Sequence, residues 1–282
     1  MTLARMPTYF LSHGGGPWPW LKDLRPGMYD QLEASLHDVR NELGAAPRAV
    51  LMISGHWEAS QFLVSSSARP PMVYDYGGFP EYTYRIRYDA PGDPALAERV
   101  RDLLERGGLT ADLDPQRGFD HGTFSLMHTM YPEANMPVVQ LALRSDFDPA
   151  AHLWAGELLA PLRDEGIVIV GSGFSFHDTA AMRSGTGGPA SATFDRWLDE
   201  TLVGAAPDVR RRRLTEWTSA PSARAAHPRE DHLLPLMVAL GAAGNDAGTR
   251  IYHQTNFMGA ITASSFRFGL PVTQPNREIA VA

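Results

Sequence analysis

Four short apolar runs constrain this chain most: Thr8–Ser12, Ala49–Ser54, Val138–Leu143 and Ile167–Gly171. Each is continuous, lacks apolar–polar alternation and is bounded by turn-forming residues, the pattern of strands covered on both faces. Stretches with helical spacing lie between them. Arg25–Gly44 contains one helix. Asp93–Arg106 opens with Asp-Pro and sets Leu96, Val100, Leu103 and Leu104 at helical intervals before Gly107-Gly108. Pro149–Glu165 repeats the pattern with Leu153, Trp154, Leu158, Leu159 and Leu162, and Gly166 stops it. Thr193–Leu202 and His232–Ala243 are further helices. Interleaved buried strands and helices predict an α/β fold, with a central mostly parallel or mixed sheet flanked by helices. Residues 60–90, polar and aromatic, are expected to form a lobe over the sheet. The chain reads as a single catalytic domain, 1–282, with a loosely held tail over 270–282.

Composition then narrows the chemistry. A chain of 282 residues, 44% of them hydrophobic, buries a large core and needs no disulfide to fold. It has no cysteine, which removes thiol nucleophiles and thiolate metal sites; metal chemistry would have to use histidine and carboxylates. A net charge of −7 argues against a nucleic-acid partner, and the basic run Arg210–Arg213 reads as a solvated helix face. No run of 18 apolar residues exists and Met1–Met6 leads into no export core, so no membrane partner and a cytoplasmic location are expected.

The placement of the histidines carries the functional information. His13 follows the first run in Ser12-His13-Gly14-Gly15-Gly16, and His56 follows the second in Ser54-Gly55-His56-Trp57. His177 comes soon after the fourth, in Gly173-Phe174-Ser175-Phe176-His177-Asp178. The carboxyl edge of a parallel sheet is where α/β proteins place ligands, so a metal site at strand ends is expected. His121 lies in Asp120-His121-Gly122. Of His227 and His232, the second opens an apolar helix, whereas Pro228 and the charged triplet after it place His227 in a surface loop. Such a set suits Zn(II) or Fe(II). No His-Glu-x-x-His zinc motif occurs, so a metal-dependent hydrolase would need dispersed ligands. The absence of a Gly-x-Ser-x-Gly elbow removes the serine hydrolase that His13-Gly14-Gly15-Gly16 alone would suggest. The residues by themselves indicate a metal-dependent α/β enzyme of open reaction.

The chain resembles the class III extradiol ring-cleavage dioxygenases, in their DOPA-dioxygenase-like branch, from about Pro7 to Phe268. The resemblance rests on Ser12-His13-Gly14, Ser54-Gly55-His56-Trp57, Tyr74–Pro80, Tyr88–Gly92, Gly118–Gly122, Met130–Pro132, Pro137–Leu141, Leu162–Gly166 and Asp231–Leu236. It implies a non-heme Fe(II) enzyme that opens a small substituted catechol, such as DOPA or a caffeic-type acid, with dioxygen. Zn(II) is implied as an ion that purified protein can carry, and no other cofactor. His13, His56 and His232 are the implied metal ligands, with His177 a candidate fourth and Asp231 an alternative read chiefly as a helix-start residue. His177 and His121 are the implied catalytic residues: His177 as acid/base, and His121, second in that role, expected to touch the substrate or dioxygen. Trp18, Trp57, Tyr76, Phe79 and Phe176 flank these motifs and are expected in the pocket wall. Gly15-Gly16, Asp178 and Phe124 depart from the family's common residues, which bears on substrate preference. The competing readings are a non-catalytic metal- or peptide-binding protein of this fold and a metal-dependent hydrolase.

Overall fold

A computed structural model of the chain describes residues 5–272. Its strands are β1 (Thr8–Ser12), β2 (Ala49–Ala59), β3 (Phe62–Ser65), β4 (Ala111–Asp114), β5 (Val138–Arg144), β6 (Ile167–Gly173), β7 (Gly248–Phe257) and β8 (Ile261–Phe268). Its α-helices are α1 (Asp30–Leu43), α2 (Pro94–Arg106), α3 (His121–Met130), α4 (Pro149–Leu159), α5 (Thr179–Ser184), α6 (Gly188–Leu202), α7 (Pro207–Thr215), α8 (Ala223–Ala226) and α9 (Leu234–Ala243). All eight described strands join one sheet in the order β4-β3-β5-β2-β6-β1-β8-β7. The centre, β5-β2-β6-β1, is parallel, with Leu51 opposite Ile169 and Thr8 also opposite Ile169 on the other side of β6. Antiparallel pairings of β3 with β5, β1 with β8 and β7 with β8 make the whole sheet mixed. The anticipated mixed α/β architecture is therefore the observed one. The expected tail falls mostly on residues 273–282, which lie outside the described residues.

Period-two alternation along β6 shows how the two faces are covered. A side chain at Gly171 or Gly173 would run into the backbone carbonyls of Pro235 or His232, so those positions face the segment leading into α9. Ser172 between them points the other way and donates to the Gly122 carbonyl of α3 at 2.6 Å. Helix α9 is apolar on every side and wholly buried, because α4 covers the face turned from the sheet. Helix α2 starts as expected: Pro94 stands at its first turn and the Asp93 carboxylate accepts from the Leu96 amide at 2.9 Å.

Several expectations are corrected. β2 runs on to Ala59, so His56 lies inside a strand, where the β2–β5 register shifts between Ile53 and Glu58. That bulge re-aims the side chains of the intervening residues. His227 is not in a surface loop: it is fully buried, edge-on to Phe194 and Trp217. Arg210 is not solvated either; its guanidinium donates to the carbonyls of Gly244 and Asp246 at 3.0 and 2.9 Å. Residues 60–90 contribute β3 to the sheet, followed by irregular chain and a 3-10 helix at Glu81–Arg85. Strands β4, β7 and β8 were not anticipated.

Candidate metal centre

Because β1, β2 and β6 are parallel, their carboxyl ends emerge at one edge and bring His13, His56 and the segment to His177 together. The His13 amide extends the ladder by donating to the Gly173 carbonyl at 3.1 Å, and the Phe174 amide donates to the His232 carbonyl at 3.0 Å. The second bond ties the turn before α9 to the end of β6. His121 arrives as the first residue of α3, whose N-cap is Asp120. That buried carboxylate accepts from the Thr123 amide at 3.0 Å and the Ser54 hydroxyl at 2.8 Å, and from Arg117 at 2.6 Å.

The rings form one cluster. His13 lies 5.0 Å from His56, 5.2 Å from His232 and 5.3 Å from His121, centroid to centroid. His56 lies 4.0 Å from His121 and 4.7 Å from His232. His177 stacks on His232 with centroids 3.3 Å apart. Ligand atoms of His13, His56 and His121 lie within 4.8 Å of one another, as do those of His177, Asp231 and His232.

A common orientation runs through four of these rings. The Nδ1 of His13 meets the Gly14 carbonyl at 2.9 Å, that of His232 meets Asp231 at 2.9 Å, and those of His56 and His121 meet the two oxygens of Asp75 at 3.2 and 3.0 Å. A carbonyl and an ionised carboxylate only accept, so Nδ1 carries the proton where it meets them and Nε2 keeps its lone pair. Burial would raise the Asp75 carboxyl, but its hydrogen bond with His121 and the nearness of both imidazoles outweigh that and hold it at about 2. Burial, with the neighbouring rings adding to it, pushes His13 and His232 well below the ordinary imidazole value. Burial and His121 lower His56 to about 4, and burial with His227 lowers His177 to about 3. Neutral imidazoles are the form that binds metal.

Two observations test the fit to a metal. The His13 Nε2 is buried and meets no hydrogen-bond partner among the described residues. The Nε2 atoms of His56 and His232 face each other at 3.1 Å. Nitrogen–metal bonds of about 2.0–2.1 Å at roughly 90–110° would separate two donors by about 2.9–3.4 Å, which matches. An all-nitrogen set with no thiolate suits a first-row divalent ion.

Beside the cluster is a cavity of about 540 Å³, within the size range of small-ligand sites. Its wall includes His13, His56, His121, His177 and His232 with Phe79, Phe174, Tyr29 and Met258. Of the five aromatic residues expected in it, Phe79 is there. Trp18 is instead buried on Tyr29 and donates to the His13 carbonyl at 2.8 Å. Trp57 lies beneath the Arg117 guanidinium, and Phe176 packs against Gly187. Tyr76 stands behind the wall, edge-on to His121 at 5.9 Å, with its hydroxyl given to the Thr83 carbonyl. Asp231 is no helix cap, since α9 begins at Leu234; its carboxylate orients His232. Asp75, Tyr29, Phe174 and Met258 escaped sequence reasoning. Asp75 and Phe174 had a signal, their places in the Tyr74–Pro80 motif and in the stretch leading to His177.

Residues 7–269 match the family model described as the catalytic LigB subunit of aromatic ring-opening dioxygenase. The chain is 37% identical over 266 residues to a 4,5-DOPA dioxygenase extradiol of Beta vulgaris, covering 93% of this chain and 96% of that one. It is 33% identical to the Escherichia coli K12 protein of the same name, over 95% and 97% of the two chains. The crystal structure of an uncharacterized Escherichia coli K12 protein superposes with a TM-score of 0.76 at 29% identity, covering 94% of this chain and all of that one. With its histidine cluster at the strand ends and a family match over nearly its whole length, the chain belongs to the LigB family of aromatic ring-opening dioxygenases, in the DOPA-dioxygenase-like branch, and is an oxidoreductase.

Proposed function

We propose that the protein is an Fe(II)-dependent extradiol dioxygenase acting on a small catechol with a side chain, of the DOPA or caffeic-acid type. The observation that carries this is the cluster of buried imidazoles at the strand ends beside a cavity, with the Nε2 atoms of His56 and His232 3.1 Å apart. His13, His56 and His232 would hold the ion, and Asp75 and Asp231 would fix the tautomers of two of them. Bound Fe(II) supplies the electron relay between the catechol and dioxygen and makes the phenolic protons easier to remove. With His13, His56 and His232 as its protein ligands, the ion would keep positions free for the catechol oxygens and dioxygen. His177, in the cavity wall, is the base that takes a phenolic proton and later returns it. His121, oriented by Asp75, stands over the same space and positions the substrate. Phe79 and Phe174 give the aromatic ring an apolar wall. Zn(II) fits the same nitrogens but has no redox chemistry, so protein isolated with Zn(II) would be inactive in ring opening.

The test is oxygen uptake by protein reconstituted anaerobically with Fe(II) and given a panel of catechols. Uptake stoichiometric with catechol loss and the appearance of a yellow product is expected, and it should vanish in His56→Ala. His177→Ala should retain the metal and lose about 10²–10⁴-fold in turnover. Catechol binding without oxygen uptake across the panel would indicate a binding protein. Ester or amide hydrolysis by the Zn(II) form would indicate a hydrolase.

A further inference from the structure

Two arginines stand in the cavity wall, Arg25 and Arg183, and no aspartate or glutamate among the described residues accompanies them there. This is unusual for a chain with 32 acidic residues against 25 basic ones. Many other arginines in the described residues are committed to carboxylates: Arg99 to Glu165, Arg117 to Asp120, Arg229 to Glu58. Neither Arg25 nor Arg183 forms an ion pair among the described residues. Their side-chain contacts are weak ones, Arg25 to the Met28 sulfur at 3.9 Å and Arg183 to the Thr179 hydroxyl at 3.4 Å. The carboxylate nearest Arg183 in sequence, Asp178, is occupied as the N-cap of α5, accepting from the Ala180 and Ala181 amides at 2.9 and 3.0 Å.

Local geometry aims both side chains at the cavity. Thr179, Met182 and Arg183 stand at i, i+3 and i+4 of α5, one face of the helix, and all three line the wall. Arg25 lies between β1 and α1, close enough for its charge to act on the hydroxyl of Tyr29, another wall residue. Two guanidinium groups that meet no counter-charge among the described residues line one cavity with the imidazoles, and the planar guanidinium matches a carboxylate.

We propose that Arg25 and Arg183 bind the carboxylate of the catechol's side chain, so that the site selects acidic catechols over neutral ones of the same size. This rests on the ring-opening reading for the catechol half of the substrate, whereas the anion-binding half is open to independent measurement. The experiment compares dihydrocaffeate with its uncharged amide, first by anaerobic calorimetric binding to metal-loaded protein and then by steady-state oxygen uptake. The wild-type protein is expected to prefer the acid by about tenfold or more in Kd and in KM. In Arg25→Gln/Arg183→Gln that preference should collapse towards one, with Arg25→Lys/Arg183→Lys keeping part of it. A merely structural role would weaken both ligands together and leave the ratio where it was. Equal binding of acid and amide by the wild-type protein, or a preference that survives the double glutamine substitution, overturns the proposal. Preferential binding of the acid without oxygen uptake supports the anion site and overturns only the ring-opening reading.

Discussion

Asp75 does at the scale of one residue what the cluster needs most. One of its oxygens accepts from the Nδ1 and the amide of His121, both at 3.0 Å, and the other faces the Nδ1 of His56 at 3.2 Å. One carboxylate thereby orients a ring proposed to bind the metal and a ring proposed to position the substrate. Asparagine in its place keeps the shape but turns one acceptor into a donor. With the remaining carbonyl oxygen retained by the two His121 donors, the new side-chain amide would face the His56 Nδ1 and drive that proton to Nε2, where it blocks coordination. Asp75→Asn is therefore expected to fold normally and lose about 10–100-fold in metal affinity, read by competition with a chelating indicator. Unchanged affinity would mean that His56 is not a ligand or that Asp75 does not set its tautomer.

At the scale of elements, the site depends on how closely the turn before α9 approaches the end of β6. Gly173 makes that approach possible, since an added Cβ would sit 2.2 Å from the His232 carbonyl oxygen, which is backbone and cannot swing away. Gly173→Ala should cost about 1–3 kcal/mol, seen as a lower urea midpoint, and should reduce bound metal as His232 is displaced. Full stability with stoichiometric metal would show that the turn shifts freely. The central strands and main helices were legible because continuous apolar runs and helical spacing are one-dimensional signals. β8 was not, although it is almost wholly buried: its Ser264 and Ser265 look polar in sequence but are satisfied by Asp195 and by the Ser12 amide. β7 is an exposed edge strand rich in polar residues and carries little apolar signal. His227 and Arg210 misled for a related reason. Each meets distant backbone carbonyls in the interior: the His227 Nε2 meets Ser175, and the Arg210 guanidinium meets Gly244 and Asp246.

Across the whole molecule, neutral buried histidines outside the cluster tie stability to pH. Burial lowers His152 and His227 from the ordinary 6.5 to about 4. The unfolded chain then binds protons that the folded chain refuses, so the stabilisation from each group is fully present above about pH 6.5. It is lost as pH falls towards 4, on the order of 3 kcal/mol per group across the window. Urea midpoints measured from pH 7.5 to pH 4.5 should fall steadily below pH 6.5; a midpoint level down to pH 5 would contradict burial of these rings as neutral species. Periodicity, composition and ordered motifs were enough to establish the layered α/β class, the strand-end position of His13, the exclusion of thiolate chemistry and the family. None of these needs a third dimension. Folding in space was required to reveal that Asp75 joins His56 to His121, that His232 faces His56 from 176 residues away, and that two arginines in the cavity wall meet no counter-charge among the described residues. These are distances between segments brought together by a parallel sheet, and a linear pattern carries no measure of them.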